Sequence, residues 1–270
     1  MACGRPNTKT SFNKPNAFII GGRLALPGEV PWQVRLSIRT NRFLTSSTSF
    51  CGGFIWNENT IVTAAHCVQD CSSLLPNLPF LSSKSIEVCM GDLKRSDNSD
   101  GQICEETKTF KSHPYYSCST HKNDIAIIRV PKMQIPKFTS NGYGSINSLC
   151  HPSQSQYSGS VIASGWGKYS RTSSETSDDL RIANMVLKPT LECQKAYGFL
   201  QMGSSQLCVQ GVSGETSCGG DSGGPLFKYV NGRAEALGIT SYGTVGCPEN
   251  GLVVFTSVPA FREWLNQNAY

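Results

Sequence analysis

The sequence predicts an all-β fold, either a barrel or a sandwich, that ends in a helix. Short runs of apolar and β-branched residues recur from Ile19 onward, and Gly, Pro, Ser and Asn separate them. Near the C-terminus, Phe261, Trp264 and Leu265 stand at helical spacing, which predicts a helix with one face packed on the core. The clearest predicted strands are Gln33–Ile38, Thr60–Thr63, Ile86–Met90, Ile125–Val130, Ser160–Ser164, Arg181–Leu187, Ala236–Ser241 and Leu252–Val258.

Composition excludes two classes of function. The chain has 270 residues, 39% of them hydrophobic, which is enough for the core of one large domain or two small ones. The net charge of +5 is mildly basic, but no run of Lys and Arg is long enough to follow a phosphate backbone, so nucleic-acid binding is not expected. No stretch approaches the roughly 18 apolar residues of a membrane span.

Cysteine usage indicates the compartment. The chain has twelve cysteines, an even number, and they are spread out without the paired C-x-x-C clusters typical of zinc sites. Six disulfides formed in an oxidising compartment are the simplest account, which predicts a secreted, extracellular protein. Residues 1–18 are polar and include Pro6 and Pro15, so they are predicted to form an extended arm.

Two loops are predicted from composition. Val68 to Ser85 is long and contains the apolar run Leu74–Leu81, which would pack over a cleft or dock a partner. Lys168 to Asp179 is polar and rich in Ser and Thr, so it is predicted to be flexible and open to cleavage.

Ser222 lies in the run Gly220-Asp221-Ser222-Gly223-Gly224-Pro225. A serine hydroxyl is a poor nucleophile until a base takes its proton and backbone donors await the developing oxyanion. Glycines around the serine permit a tight turn and a close approach of substrate. A surface turn would explain a shorter Gly/Ser/Asp segment, but the six-residue string is far more specific for nucleophilic catalysis.

Four histidines are candidates for the base. His113 and His151 each precede a proline, which is typical of turn residues, and His121 lies in a polar loop. His66 follows an apolar strand, sits among small residues and precedes a cysteine that a disulfide would hold still. The sequence therefore favours His66.

Asp124 opens the apolar strand Ile125–Val130. Burial of a carboxylate is costly unless it has a partner, and a histidine N–H would be one. A strand-start cap explains the residue equally well when it is considered alone.

His66, Asp124 and Ser222, in this order and each in its motif, resemble the trypsin/chymotrypsin family of serine proteases. The resemblance extends from Ile19 to the C-terminus. It implies two six-stranded antiparallel β-barrels with the active site between them, and a secreted serine endopeptidase without a cofactor. A catalytically inactive homologue that serves as a binding module is the rival hypothesis, which the complete set of three residues disfavours.

The resemblance also implies the role of each residue. Ser222 would attack the peptide carbonyl, His66 would act as base and then as acid, and Asp124 would fix the imidazole tautomer. Backbone N–H groups of Gly220 and Ser222 would form the oxyanion hole. The run Ser241-Tyr242-Gly243 resembles the substrate-binding strand of the family, although its middle residue is more usually Trp.

Activation by cleavage is implied as well. Ile19-Ile20-Gly21-Gly22 resembles the mature N-terminus of the family, which divides the chain into an activation arm, 1–18, and a protease domain, 19–270. After cleavage between Phe18 and Ile19, the new α-ammonium would pair with Asp221 and order the oxyanion hole. Because Phe18 replaces the usual Arg or Lys, we expect a chymotrypsin-like activator or self-activation.

Four disulfides follow from the resemblance: Cys51–Cys67, Cys193–Cys208, Cys218–Cys247 and Cys3–Cys150, the last of which would keep the cleaved arm attached. Another bridge of the family is absent, because Val161 and Lys228 occupy its places. For the remaining cysteines, the pairings Cys89–Cys104 and Cys71–Cys118 are hypotheses.

Substrate preference is predicted from the pocket residues of the family. Thr216 occupies the base of the pocket instead of Asp, so a Lys or Arg side chain would find no partner there. Gly243 leaves one wall open, and Val253 replaces a deeper glycine and makes the pocket shallower. Leu, Met or Val is therefore expected before the cleaved bond, then Phe or Tyr. A slip of the alignment at Asn250–Val253 would restore an open pocket through Gly251.

Expected ligands and partners complete the sequence-based account. The calcium loop of the family corresponds to Asp92–Gln102, but Gln102 replaces a usual carboxylate ligand, so no structural calcium or other metal is expected. The expected partners are protein or peptide substrates and protein protease inhibitors, with no nucleic acid and no membrane. The protein is expected to be a monomer.

Overall fold

The computed structural model describes residues 3–7, 22–42, 45–71, 82–170, 175–198, 202–249 and 251–270. Phe18, Ile19, the apolar run Leu74–Leu81 and Asn250 lie outside these ranges. The strands are β1 Arg23–Leu24, β2 Gln33–Arg42, β3 Ser46–Asn57, β4 Thr60–Thr63, β5 Ser82–Met90, β6 Ile103–Thr107, β7 Phe110–Ser112, β8 Ala126–Arg129, β9 Ser160–Gly165, β10 Arg181–Lys188, β11 Gln206–Gly211, β12 Pro225–Val230, β13 Arg233–Gly243 and β14 Leu252–Ser257. The helices are α1 Ala65–Val68, α2 Thr190–Tyr197 and α3 Arg262–Asn268, and a 3₁₀ turn Pro259–Phe261 precedes the last.

The second half of the chain forms a closed barrel. Its strands follow the order β1-β10-β11-β14-β13-β12-β9, and β9 also pairs with β10, so six strands close on themselves and β1 is added outside. All of these pairs are antiparallel. Large side chains such as Phe255 and Leu226 are fully buried.

The first half forms a curled sheet with the order β6-β5-β2-β3-β4-β8-β7. Strand β2 alternates as a half-buried strand should, with Val34, Leu36 and Ile38 buried and the residues between them turned outward. In the described part of the chain its edge strands β6 and β7 do not pair with each other. They have five and three residues, and each pairs with one inner neighbour.

The predicted all-β class, the barrel architecture and the C-terminal helix are confirmed. In α3, Leu265 is fully buried, and Phe261 before it is also buried. In the described residues the second barrel of this architecture is a curled half-barrel of seven strands, formed by the first half of the chain. No described helix combines the length and apolar character that crossing a bilayer would need.

Six disulfides hold the loops of this fold: Cys3–Cys150, Cys51–Cys67, Cys71–Cys118, Cys89–Cys104, Cys193–Cys208 and Cys218–Cys247. These are the four pairings that the resemblance implies and the two that the sequence supports as hypotheses. Val161 and Lys228 lie on the adjacent strands β9 and β12, and neither residue can form the disulfide that the family has at these places.

The polar loop Lys168–Asp179 is described on both sides of residues 171–174. Its described ends are hydrogen-bonded, because the Lys168 amide donates to the carbonyl of Gly219 and the Ser177 amide donates to that of Gly167. The loop therefore leaves and rejoins the fold at fixed points.

Candidate active site

His66 is held by the short helix α1. Its neighbours Ala64 and Ala65 are fully buried, so only small residues fit between β4 and the helix. The adjacent Cys67 is joined to Cys51 on β3, which ties the helix to the first sheet. The histidine side chain keeps about 21% of its surface exposed and therefore faces the cleft.

Asp124 lies fully buried two residues before β8 and acts as an acceptor for His66. Its carboxylate accepts from the His66 amide at 2.9 Å and lies 2.8 Å from His66 Nδ1. A third donor is Ser241 Oγ, at 2.6 Å. An ionised carboxylate only accepts, so Nδ1 carries the proton and Nε2 is left as a proton acceptor.

The protonation of Asp124 follows from these contacts. Burial by itself would raise the pKa of this carboxyl. The hydrogen bonds from His66 and Ser241 and the attraction to the His66 ring outweigh burial and hold its pKa below the usual value. The group is therefore ionised at neutral pH and keeps the imidazole oriented.

Ser222 lies on a tight turn opposite the segment that carries His66. Its carbonyl accepts from the Gly52 amide at 2.7 Å. The next residue, Gly223, has φ +78°, and a Cβ there would lie 2.2 Å from Thr63 Oγ1 and 3.2 Å from the Ala64 amide nitrogen. Only glycine permits this approach, which brings the serine turn against the chain just before His66.

The turn before Ser222 presents two backbone donors. Gly220 has φ +99°, and the Asp221 amide donates to the carbonyl of Cys218 at 3.0 Å, which closes the turn. Within the described ranges the amides of Gly220 and Ser222 donate to no acceptor. Two unused N–H groups beside a serine are the donors that an oxyanion requires.

Asp221 is a buried acid beneath this turn. Its carboxylate accepts from the amides of Gly167 at 2.8 Å and Cys218 at 2.9 Å, and from Ser217 Oγ at 3.5 Å. Burial raises its pKa to about 6, against the opposing effect of the three hydrogen bonds. None of these described partners is a cation, so the side chain is suited to receive one.

A cavity of about 300 Å³ opens beside Ser222. Thr216 and Val253 line it together with the run Ser241-Tyr242-Gly243. In the sheet, Gly243 pairs with Val253, which places the valine against the open wall of the pocket. Gly251 also lines the cavity, but lies close to Pro248, where a Cβ would be 2.9 Å from its carbonyl oxygen.

The charge of this cavity bears on its ligands. Lys168 is the one positively charged side chain among the described lining residues, and these residues include no carboxylate. Thr216 is 1% exposed, and its hydroxyl donates to the neighbouring Ser217 carbonyl at 3.2 Å. A basic ligand side chain would therefore meet no acid there.

The site has two features that sequence patterns do not reveal. Ser241 contacts Asp124 as well as lining the cavity, through a contact between distant strands. The His121 ring lies 5.8 Å from the His66 ring and 5.5 Å from that of Tyr242, but Asp124 accepts from His66 and not from His121. His121 thus borders the cleft without the contact expected of the base.

A cluster of possible metal ligands occurs beside the site. Cys51, Cys67 and His66 have ligand atoms within 4.8 Å of one another. The two sulfurs are joined in a disulfide, so neither is available as a thiolate. The cluster is not a metal site.

This fold and cleft define a serine endopeptidase, a hydrolase with the chymotrypsin-like architecture. The model of the family described as Trypsin matches residues 19–265, so the chain belongs to the trypsin family.

Several curated relatives align over most of the chain. Trypsin beta of Drosophila erecta is 32% identical over 256 residues, which cover 93% of this chain and 88% of that protein. Trypsin delta of Drosophila melanogaster is 32% identical over 254 residues, with the same coverage of both chains. CLIP domain-containing serine protease B4 of Anopheles gambiae is 29% identical over 273 residues, which cover 93% of this chain and 70% of that protein.

Proposed function

We propose that the protein is a secreted endopeptidase that cleaves after uncharged, medium-sized apolar residues, with Ser222 as nucleophile. The observation that carries the proposal is the pairing of buried Asp124 with Nδ1 of His66, because it leaves Nε2 as the proton acceptor. The six disulfides support an extracellular location. The protein is proposed to act on proteins or peptides as a monomer, and protein inhibitors would bind the same cleft.

The same groups act in acylation and in deacylation, and His66 serves as base and then as acid in each. Ser222 Oγ attacks the peptide carbonyl carbon while His66 Nε2 takes its proton, and the amides of Gly220 and Ser222 stabilise the oxyanion. His66 then protonates the leaving amine, and an acyl-enzyme remains on Ser222. A water molecule, deprotonated by His66, then attacks the acyl carbon. The ester bond to Ser222 Oγ breaks, His66 returns its proton to that oxygen, and the acid product leaves. Asp124 stays ionised throughout and stabilises the imidazolium.

The cavity supports the proposed preference for the residue before the cleaved bond. Val253 pairs with Gly243 and limits the depth of the pocket, while the described lining residues offer no acid to a Lys or Arg side chain. Because Val253, and not Gly251, pairs with Gly243, the sheet register also argues against the alternative alignment in which Gly251 opens the pocket.

Peptide-library cleavage by protein activated at the Phe18–Ile19 bond tests this proposal, with Ser222→Ala as the control. We expect cleavage after Leu, Met or Val first and after Phe or Tyr second, and none by the control. Preferred cleavage after Arg would contradict the pocket assignment, and equal cleavage by the control would contradict the nucleophile.

Val253→Gly is expected to deepen the pocket and shift the ratio of kcat/KM for Phe over Leu substrates at least about tenfold toward Phe. The ratio is the right measurement, because it is independent of any loss of folded enzyme. Val212→Gly, an exposed position outside the pocket lining, is the control. An unchanged ratio in Val253→Gly would show that this residue does not set the depth.

Activation is proposed to require cleavage between Phe18 and Ile19, after which the Ile19 ammonium binds Asp221. The buried carboxylate with its raised pKa supports this role. The arm would stay attached through Cys3–Cys150. It also has backbone contacts, since the Gly4 amide donates to Ser148 at 2.7 Å and the Asn7 amide to Gly28 at 2.7 Å.

Phe18→Ala is expected to slow maturation at least about tenfold in a mixture that activates the wild type, because a chymotrypsin-like activator needs the aromatic side chain. Phe12→Ala, elsewhere in the arm, should mature normally. The measurement is the appearance of the Ile19 N-terminus with time. Maturation of Phe18→Ala at the wild-type rate would exclude an activating protease whose specificity depends on Phe18.

A further inference from the structure

The loop between β5 and β6, residues 91–102, is held at both ends by an arginine side chain. Arg35 on β2 donates from Nε to Asp92 Oδ2 at 2.5 Å and from Nη2 to Gln102 Oε1 at 3.3 Å. The Asp92 side chain is completely buried, and its Oδ1 has no partner in the described part of the chain. Arg35 is therefore the cation that contacts this buried acid directly, with Arg95 as a further charge nearby.

These contacts do not fit a calcium ion in the same loop. Calcium takes six to eight oxygen ligands at about 2.3–2.6 Å. Asp92 Oδ2 and Gln102 Oε1 already accept from the guanidinium of Arg35, which leaves only Asp92 Oδ1 of that carboxylate without a partner in the described part of the chain. A second cation at Asp92 would be repelled by the Arg35 guanidinium, because charges beside this fully buried carboxylate are poorly screened.

The rest of the loop is closed by its own residues. Cys89–Cys104 joins the two strands at its base. Inside the loop, Asp100 accepts from the amides of Leu93 at 2.8 Å, Lys94 at 3.2 Å and Gln102 at 3.2 Å. The loop thus has an internal organising carboxylate in addition to the Arg35 contact.

A chain of contacts leads from this loop to the turn before the nucleophile. The Leu93 carbonyl accepts from Trp166 Nε1 at 3.4 Å and from the Leu180 amide at 2.8 Å. Trp166 is 5% exposed and directly precedes Gly167, whose amide donates to Asp221. A shift of the Leu93 carbonyl would therefore move Trp166 and alter the hydrogen bond from Gly167 to Asp221.

We infer that Arg35 replaces a bound calcium ion as the cation of the 91–102 loop, and that through Leu93 and Trp166 it is a positioning residue for the Gly167–Asp221 contact. The effect on the active site rests on the proposed function, whereas the replacement of calcium does not. Arg39, four residues further along the same strand and exposed, provides a matched control.

Thermal unfolding of the activated protein tests the replacement of calcium. Wild-type Tm is expected to be the same in millimolar calcium and in EGTA. Arg35→Gln leaves Asp92 unpaired and should lower Tm by about 10 °C, while Arg39→Gln should not. Arg35→Lys keeps the charge, so it should recover part of the loss and provides a folded variant if Arg35→Gln does not fold.

The rate of labelling by an organophosphonate, measured well below every unfolding transition, tests the positioning role. Arg35→Gln, or Arg35→Lys in its place, is expected to react several-fold to tenfold more slowly than Arg39→Gln. A fall of wild-type Tm in EGTA, or the same Tm and labelling rate for the Arg35 and Arg39 variants, would overturn the inference. Failure of the wild type itself to be labelled would instead contradict the proposed function.

Discussion

Asp124→Asn is expected to lower kcat of the activated enzyme by about 10⁴-fold with the fold unchanged. The present carboxylate accepts from Nδ1 of His66, so Nε2 is free to take the serine proton. An amide at this position can donate to Nδ1 and stabilise the opposite tautomer, in which Nε2 is protonated and cannot act as the base.

Steady-state kinetics with an apolar peptide substrate measure this effect, and circular dichroism shows whether the variant is folded. Ser241→Ala is a matched control, because it removes one hydrogen bond from the same carboxylate but leaves the charge. We expect Ser241→Ala to lose about tenfold or less. If Asp124→Asn retained activity within tenfold of the wild type, the tautomer account of this site would be wrong.

Asp221→Asn is expected to stabilise the uncleaved protein at neutral pH but to lower the activity of the cleaved enzyme. In the uncleaved chain, burial raises the pKa of Asp221 to about 6, above the value of about 3.8 in the unfolded chain. The folded state then binds more protons than the unfolded state between these two pH values, so stability falls as pH rises through this window. Above pH 6 the ionised Asp221 lowers the free energy of unfolding by up to about 3 kcal/mol. The uncharged side chain of Asp221→Asn would remove this cost.

The cleaved enzyme should respond differently, because the ammonium of Ile19 would lose its partner. Breaking a buried ion pair costs about 3–5 kcal/mol, which corresponds to a loss of activity of about 10²–10⁴-fold if that pairing orders the oxyanion hole. Unfolding of uncleaved protein at pH 4 and pH 7.5, followed by kinetics after cleavage, measures both effects.

The exposed Glu106 on β6 provides the control as Glu106→Gln, which should match the wild type in activity. A variant Asp221→Asn that is less stable than the wild type at pH 7.5 before cleavage would contradict the cost assigned to the buried charge. Full activity of that variant after cleavage would contradict its role in activation.

Local sequence predicts the tight turn at Ser222 and the close packing around His66, because their small residues are needed for close backbone approaches. Gly223 illustrates this, since a Cβ there would overlap Thr63. The β-class was equally accessible, because strands such as β2 alternate buried and outward residues.

Contacts between distant strands were not accessible in the same way. The first five residues of β3 are exposed and mostly Ser and Thr, and they become a strand through backbone pairing with β2. Ser241 reaches Asp124 over a separation of 117 residues. Arg35 has the appearance of a surface residue in the sequence, and only the fold brings Asp92 to it.

The central claim is that Ser222 is the nucleophile of an enzyme activated by cleavage, and site-mapped labelling with an organophosphonate tests it most directly. Protein cleaved between Phe18 and Ile19 should carry one adduct, on the peptide that contains Ser222. Uncleaved protein and Ser222→Ala should remain unlabelled over the same period. An adduct on another serine, or none on folded and cleaved protein, would contradict the account and favour a binding module without catalytic activity.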